Sequence, residues 1–251
     1  MEVRSLGYRT DLMIRVLEGS QVTDRGEYLV ISTPQNPDYW WGSFLLLRSM
    51  PEQAHPWLEV FAAEFPGARH LTLGIDSGDA TTGETLDGMR AQVLTAASVR
   101  EPPFPHTSAV VRKLVGDDDW RQATLLRSLI TAGGPGADPR FLNARVAAER
   151  ALAEAGHGWW FGAFVDGELA AHLGVVTDGS GLARYQNVET HPDARRCGLA
   201  GTLVWRAGQH ALRCGARTLV IVADPAEGAI RVYRSVGFTQ TQTQVGFERA
   251  P

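Results

Sequence analysis

Residues 188–204, Val-Glu-Thr-His-Pro-Asp-Ala-Arg-Arg-Cys-Gly-Leu-Ala-Gly-Thr-Leu-Val, constrain this chain more than any other stretch. A run rich in β-branched residues enters a proline turn, two arginines and two glycines follow, and an amphipathic segment then begins. That order reads as strand, tight loop and helix start. A helix start carries free N–H groups and the positive end of the dipole, so it accepts an anion readily. Gly198 and Gly201 let the main chain approach such an anion closely. Arg195 and Arg196 add charge-assisted contacts suited to a pyrophosphate. The stretch predicts a phosphate cradle.

The rest of the composition narrows the setting. The chain has 251 residues, enough for one large domain or two ordinary ones. Apolar residues make up 44% and charged ones 21%, as in ordinary globular proteins. A formal charge of −4 argues against wholesale binding of nucleic acid or of an anionic membrane. Cys197 and Cys214 are the only cysteines, too few for a disulfide framework or a thiolate metal cluster. The seven histidines have no ligand spacing, so no metal is expected. The first residues do not read as a signal peptide, and no apolar run reaches membrane-spanning length. A cytoplasmic enzyme domain is the expectation.

In the first half, the segment 2–24 is hard to place, and Leu12–Leu17 fits a strand or a short helix. Strands are predicted at 27–33, 41–47, 71–76 and 92–99, with helices at 55–65 and 82–89. Trp40, Trp41 and Trp57 read as core rather than as a ligand platform. Glu101-Pro102-Pro103-Phe104-Pro105 is the clearest linker. After it come a strand at 109–114 and a helix at 117–131. The acids Asp117, Asp118 and Asp119 sit at that helix's positive end and read as caps, not as a metal site. Pro139 opens a second helix to about Ala155. A hairpin turns at Asp166-Gly167 between strands at 159–165 and 168–176. Strand 182–190, helix 199–212, strand 218–222, helix 229–238 and strand 239–248 complete the chain.

Arg195-x-x-Gly198-x-Ala200 resembles the acyl-CoA pyrophosphate loop of the GNAT acetyltransferase superfamily. Ala229-Ile230-Arg231-Val232-Tyr233-Arg234-Ser235-Val236-Gly237-Phe238 is similar to that family's Ala-Ile-x-Leu-Tyr-x-x-x-Gly-Phe signature. The two occur in the family's order, joined by the family's elements, over about residues 108–249. The resemblance implies an α/β (α+β) fold with a mixed, mostly antiparallel sheet flanked by helices. It also implies transfer of an acetyl group from acetyl-CoA to an amine. The main chain of Val188 to Thr190 would pair with the pantetheine arm like an added strand, and one N–H there would polarise the thioester carbonyl. The N–H groups of Arg196, Cys197, Gly198, Leu199, Ala200 and Gly201 would hold the pyrophosphate, with Arg195 and Thr202 flanking them. Tyr233 falls at the family's general acid.

Glu189 is the first choice for the base, directly or through water. An ordinary ion pair with an arginine is an equal reading of the same residue. His191 is expected to shape the loop. Cys197 stands where the loop needs a small residue and is disfavoured as a nucleophile. The family often has asparagine where this chain has Ala226, which weakens the side-chain contacts expected for the pantetheine arm.

The first half echoes the second. Gly67-Ala68-Arg69-His70-Leu71 precedes a strand ending in Asp76, and Gly215-Ala216-Arg217-Thr218-Leu219 precedes one ending near Asp224. Residues 1–104 therefore read as a degenerate GNAT-like unit and 105–251 as the catalytic domain. Between Leu47 and Trp57 there is no glycine and a single arginine, Arg48, so one cosubstrate site per chain is expected. The acceptor is read as the primary amine of a small molecule, with its pocket at 132–145 and parts of the first half. Protein lysines or N-termini are the alternative acceptors, and a CoA-binding module with decayed catalysis is the alternative function. The chain is expected to be a monomer or a homodimer.

Overall fold

Ser5 starts the first element. Its hydroxyl accepts a hydrogen bond from Tyr8 N at 3.4 Å, and the Asp76 carboxylate accepts from Arg4 N and Ser5 N at 2.7–2.9 Å. These bonds satisfy donors that a helix start leaves open, and the hard-to-place segment becomes a helix, α1 (Leu6–Leu17). The computed structural model describes residues 2–34, 39–53, 55–77, 88–134, 137–226 and 228–249. After α1 come β1 (Gln21–Asp24), β2 (Tyr28–Ser32), a 3-10 turn at Trp40–Gly42, β3 (Phe44–Leu47), α2 (His55–Glu64), β4 (Leu71–Ile75) and β5 (Met89–Ala96). Then follow β6 (Val110–Lys113), α3 (Gly116–Thr131), α4 (Pro139–Glu154), β7 (Gly158–Val165), β8 (Glu168–Val176) and β9 (Leu182–Thr190). A 3-10 turn at Pro192–Ala194 leads to α5 (Leu199–Arg213), β10 (Thr218–Ala223), α6 (Ala229–Val236) and β11 (Thr239–Arg249).

The departures from the sequence reading have local causes. β1 was not foreseen because Gln21–Asp24 is exposed along its whole length, with no apolar alternation. The strand expected at 41–47 begins at Phe44, because Gly42 N closes a turn onto Tyr39 O and Gly42 O accepts from Thr33 Oγ1. The strand expected at 92–99 ends at Ala96, and the chain then leaves the sheet so that Arg100 N donates to Val236 O. The helix expected at 82–89 falls on 82–87, outside the described residues, and on Met89, which opens β5.

The chain is of the α+β class, with strands paired mostly antiparallel, and it divides into two compact units. One comprises residues 1–93, 222–226 and 240–251, and the other 94–221 and 227–239. In the first unit the strand order is β1-β2-β3-β4-β11, and only β3–β4 is parallel. α2 crosses between those two strands. Val30, Leu45, Leu47, Phe61, Leu73 and Phe247 form one buried cluster, against which Trp57 packs. Tyr8, Ile31, Phe44 and Leu46 form another, joined by Trp41. Trp41 and Trp57 are thus partly buried against the cores, while Trp40 stacks on His70 at 5.8 Å between ring centres.

In the second unit the order is β10-β9-β8-β7-β6. β9–β10 is parallel, with α5 crossing between them, while β6–β7, β7–β8 and β8–β9 are antiparallel. α5 buries Leu199, Leu203, Val204, Ala207 and Ala211, a stripe at helical spacing that packs on β7, β8 and β9. α3 and α4 pack on each other, and Trp120 of α3 meets Trp160 of β7 at 6.0 Å between ring centres.

Candidate acyl-CoA site on the β9–α5–α6 segment

β9 sets the site. Its pairing with β10 runs from Leu182↔Thr218 to Arg184↔Val220 and stops there. From Tyr185 to Thr190 the strand continues against β8 alone, so one edge of its backbone is free of the parallel partner. A bulge lies in the same span. Gln186 pairs with Gly174 and Glu189 with His172, which leaves one extra residue on β9, and Asn187 takes a left-handed φ of 49°. In a regular strand Tyr185 and Glu189, four residues apart, would share a face. The extra residue reverses that: Tyr185 Oη donates to Val204 O of α5 at 2.8 Å, whereas Glu189 turns to Arg127 of α3.

Glu189 is therefore not a bare carboxylate. Arg127 Nε donates to both of its oxygens at 3.0 and 3.2 Å, and His172 Nε2 lies 2.7 Å from Oε2. Arg127 Nη1 donates to Glu149 Oε1 at 2.8 Å, and Asn187 Nδ2 donates to the same oxygen at 2.6 Å. Arg127, Glu149 and His172 are 5%, 3% and 0% exposed. Burial works to raise the Glu189 carboxyl, but the His172 and Arg127 groups outweigh it and hold its pKa below the ordinary value. For Arg127, burial acts to lower the guanidinium pKa, and the facing Glu149 and Glu189 carboxylates raise it overall. The arginine pairing read as the alternative for Glu189 is the arrangement present.

Past β9, His191 Nδ1 accepts from Asp193 N at 3.3 Å and opens the 3-10 turn. Arg195, Arg196 and Cys197 then lie exposed. Arg195 Nε reaches back to Thr190 O at 3.4 Å, and Cys197 Sγ points to Arg195 O. Arg196 takes a left-handed φ of 62° and Gly198 one of 85°. Gly198 is the N-cap of the 15-residue α5, and no side chain caps that helix. Its first N–H groups and its dipole therefore face outward uncompensated by a side-chain acceptor. A Cβ at Gly198 would collide with Phe104 O. Glycine is thus required there by the linker's close approach as well as by the backbone. Thr202 Oγ1 accepts from His106 N at 2.9 Å and donates to Gly198 O at 3.0 Å, tying the linker to the first turn.

Tyr233 lies on α6 and is 6% exposed. α6 packs on α5, and Gly237 ends it with a φ of 115°. Ala226 N is bonded to Asp224 Oδ1 at 2.8 Å. Of the acidic triplet on α3, Asp119 bonds a backbone N–H at the helix start, whereas the other two pair with arginine side chains. Asp119 accepts from Val115 N and pairs with Arg112, Asp118 pairs with Arg121, and Asp117 with Arg150.

Comparison with known proteins agrees with this geometry. Residues 125–238 match the Acetyltransferase (GNAT) family. The C-terminal half carries a GNAT domain. No curated protein matches the chain. Among solved structures, the fold is similar to a functionally unknown conserved protein from Staphylococcus epidermidis, with a TM-score of 0.72 at 11% identity over 92% of this chain and 94% of that one. It is also similar to a GCN5-related N-acetyltransferase from Kribbella flavida, with a TM-score of 0.67 at 18% identity over 98% and 96%. A tandem GNAT protein from the clavulanic acid biosynthesis pathway matches with a TM-score of 0.54 at 15% identity over 89% and 78%. At such identities the likeness is one of fold. In the GNAT domain, β9 and the α5 start that the sequence marked are adjacent in the chain and held as a unit. Arg127, Glu149, His172 and Asn187 around Glu189 were missed. One signal was available: Glu149 stands on the apolar stripe Leu142, Val146, Leu152 of α4, and Arg127 on the stripe Trp120, Ala123 of α3.

Proposed function

We propose that the chain is an N-acetyltransferase that moves an acetyl group from acetyl-CoA to the primary amine of a small molecule by direct attack in a ternary complex. The observation that carries this reading is the free edge of β9 beyond Arg184, leading directly to an α5 start that no side chain caps. A strand edge suits an arm bearing amides, and an uncapped helix start suits its phosphates. The main chain of Val188 to Thr190 would hold the arm. The N–H groups of Arg196, Cys197, Gly198, Leu199, Ala200 and Gly201, with the Arg195 and Arg196 guanidiniums, would hold the pyrophosphate, and Thr202 fixes the first turn. Acetyl-CoA supplies an acetyl thioester whose carbon the amine attacks as the C–S bond breaks. An N–H of β9 would take up the charge on the carbonyl oxygen. Tyr233 would give its phenolic proton to the leaving sulfur. Glu189, with both oxygens engaged and its pKa lowered, suits a fixed anion that draws in a protonated amine, whose proton would leave to solvent through water. No metal takes part in this scheme.

In this reading residues 105–251 are the catalytic domain and 1–104 a degenerate GNAT-like one without a cosubstrate site of its own. The engaged state of Glu189 favours one second reading, a CoA-binding module that transfers nothing.

Calorimetry with acetyl-CoA tests the proposal, beside an Arg195→Glu, Arg196→Glu variant. Both side chains are exposed, so their loss reports on the ligand rather than on folding. One site per chain in the wild type, weakened at least tenfold in the variant, is expected. Absence of binding overturns the reading. Free thiol released only when an amine is added separates transfer from mere binding.

A further inference from the structure

A cavity opens on the flank of α5. It has a volume of about 530 Å³ and lies wholly within the second unit, between the linker, the start of the sheet and one stripe of the helix. That size is in the range of small-molecule sites. The rings of Phe161 and Trp205 are part of its apolar wall, beside Pro105, Ala109 and Val111, and Arg206, His210 and Arg213 are basic residues along it. The stripe Thr202, Trp205, Arg206, His210, Arg213 follows helical spacing, so all of it faces the same way.

This helix flank is basic. Elsewhere on the described surface Arg121, Arg150 and Arg25 each have a carboxylate within 3.0 Å. Arg206 and Arg213 have none among the described residues. Arg206, which lines the cavity, lies over the Trp205 ring at 4.5 Å, a contact that uses the face of the guanidinium and not its N–H donors. His210 is held edge-on between Trp159 at 4.8 Å and Phe161 at 5.4 Å, with Cys214 Sγ 3.5 Å from its Nε2. Glu101 is the one acid in the lining and comes from the linker, next to Pro102, which faces Gly201 at the start of the helix. Arg213 lies three turns further along α5. The cavity therefore has cations along the helix and toward its far end, and two aromatic rings within its apolar wall.

We propose that this cavity binds a planar aromatic anion, a ring that stacks against Trp205 and Phe161 and bears a carboxylate or sulfonate held by Arg206 and Arg213. Guanidinium forks match such oxygens bidentately, and the adjoining rings favour a flat apolar body. The cavity touches the phosphate loop at Thr202, whose hydroxyl is already bonded to His106 N and Gly198 O, and otherwise runs away from it along α5; the inference does not depend on the transferase reading.

The test uses naphthalene-2-sulfonate and its uncharged counterpart 2-naphthol, titrated into the full chain by calorimetry and tryptophan fluorescence. The sulfonate is expected to bind at one site per chain, at least tenfold tighter than 2-naphthol. An Arg206→Ser, Arg213→Ser variant is expected to lose at least tenfold in sulfonate affinity while keeping the wild-type melting temperature and its affinity for acetyl-CoA. Equal binding of the two probes, an unaltered affinity in the variant, or no binding at all overturns the proposal. So does displacement of the sulfonate by acetyl-CoA, because the cavity would then be part of the cosubstrate site. A protein that binds no acetyl-CoA but takes the sulfonate as described would sink the transferase reading and leave this one standing.

Discussion

The two units contain the same crossover, built for different ends. In the first, β3 passes through α2 to β4; in the second, β9 passes through α5 to β10. Both second strands follow a Gly-Ala-Arg segment whose glycine has a positive φ, 82° at Gly67 and 98° at Gly215. In the first crossover the parallel pair is zipped to its end: Leu47 pairs with Ile75, and Asp76 N then donates to Leu47 O at 2.7 Å. In the second the pairing stops at Arg184 while β9 runs on to Thr190. The strands differ accordingly. Phe44, Leu45, Leu46 and Leu47 are all buried and apolar, whereas β9 carries a bulge at Asn187 and a carboxylate at Glu189. A closed pair maximises burial and hydrogen bonding, while an open one leaves backbone groups for a ligand. The crossover is common to both units; what differs is where the parallel pairing ends.

The largest effect is expected from the polar side of that contrast. Arg127→Leu would leave Glu149 and Glu189 buried without their shared cation. Breaking a buried ion pair in this way costs about 3–5 kcal/mol. The loss depends on pH. The folded-state pKa of Glu189 lies below its ordinary 4.5, so its contribution is fully present above that value and fades as pH falls through the lowered one. Urea unfolding at pH 7 and near pH 4 should show the gap between variant and wild type narrowing. In the first unit Leu46→Ala, at a position 0% exposed, costs about 2–5 kcal/mol by loss of packing, and its gap should not change with pH. A pH-independent deficit in Arg127→Leu would show that the cluster acts through packing as well.

Catalysis sharpens the contrast next. Tyr233→Phe should lower kcat by about 100-fold or more, the reach of general acid catalysis, equivalent to about 2.7 kcal/mol. Its acetyl-CoA affinity should stay within about threefold of wild type (about 0.7 kcal/mol at the same conversion). Stopped-flow thiol release separates the two quantities, and an unchanged kcat would confine Tyr233 to packing.

The glycines compare the two crossovers directly. Gly67 has φ 82° with nothing near its missing Cβ, and Gly198 has φ 85° with Phe104 O in the way. Alanine at either position bears the left-handed cost of about 1–2 kcal/mol. At Gly198 it must also displace the linker carbonyl, about 1–3 kcal/mol more. Thermal unfolding of the two variants should differ in that order, and only Gly198→Ala should weaken acetyl-CoA. Equal losses would mean that the linker yields freely.

The contrast also explains what was legible. The second crossover was readable because glycine, proline and arginine punctuate it: Pro192, Gly198, Gly215 and Gly237 mark ends that the structure keeps within a residue or two. Where punctuation was missing, reading failed. β1 has no apolar face, and the start of α1 depends on Asp76, 71 residues from Ser5. The candidate site divides the same way. The candidate phosphate loop is contiguous, so its strand end, turn and helix start were all legible. The surroundings of Glu189 come from α3, α4, β8 and β9, with Arg127 62 residues away, and no local pattern pairs them. Nor does a run of β-branched residues reveal that one of them is extra, although the bulge at Asn187 decides which helix Glu189 meets.

The smallest expected effect concerns what holds the open crossover in place. Thr202, 4% exposed, joins the linker to α5 through His106 N and closes onto Gly198 O. Thr202→Val keeps the shape and removes the oxygen. A neutral hydrogen bond contributes about 0.5–1.5 kcal/mol, and a buried donor left without a partner costs about 1–3. His106 N is only part-buried, so a loss of about 1 kcal/mol is expected in urea unfolding, restored by Thr202→Ser. If the linker shapes the loop as well as covering it, acetyl-CoA affinity should fall in Thr202→Val and return in Thr202→Ser. A stability loss with unaltered affinity would instead mean that β9 and α5 hold the loop without the linker, and that the difference between the crossovers lies in their strands alone.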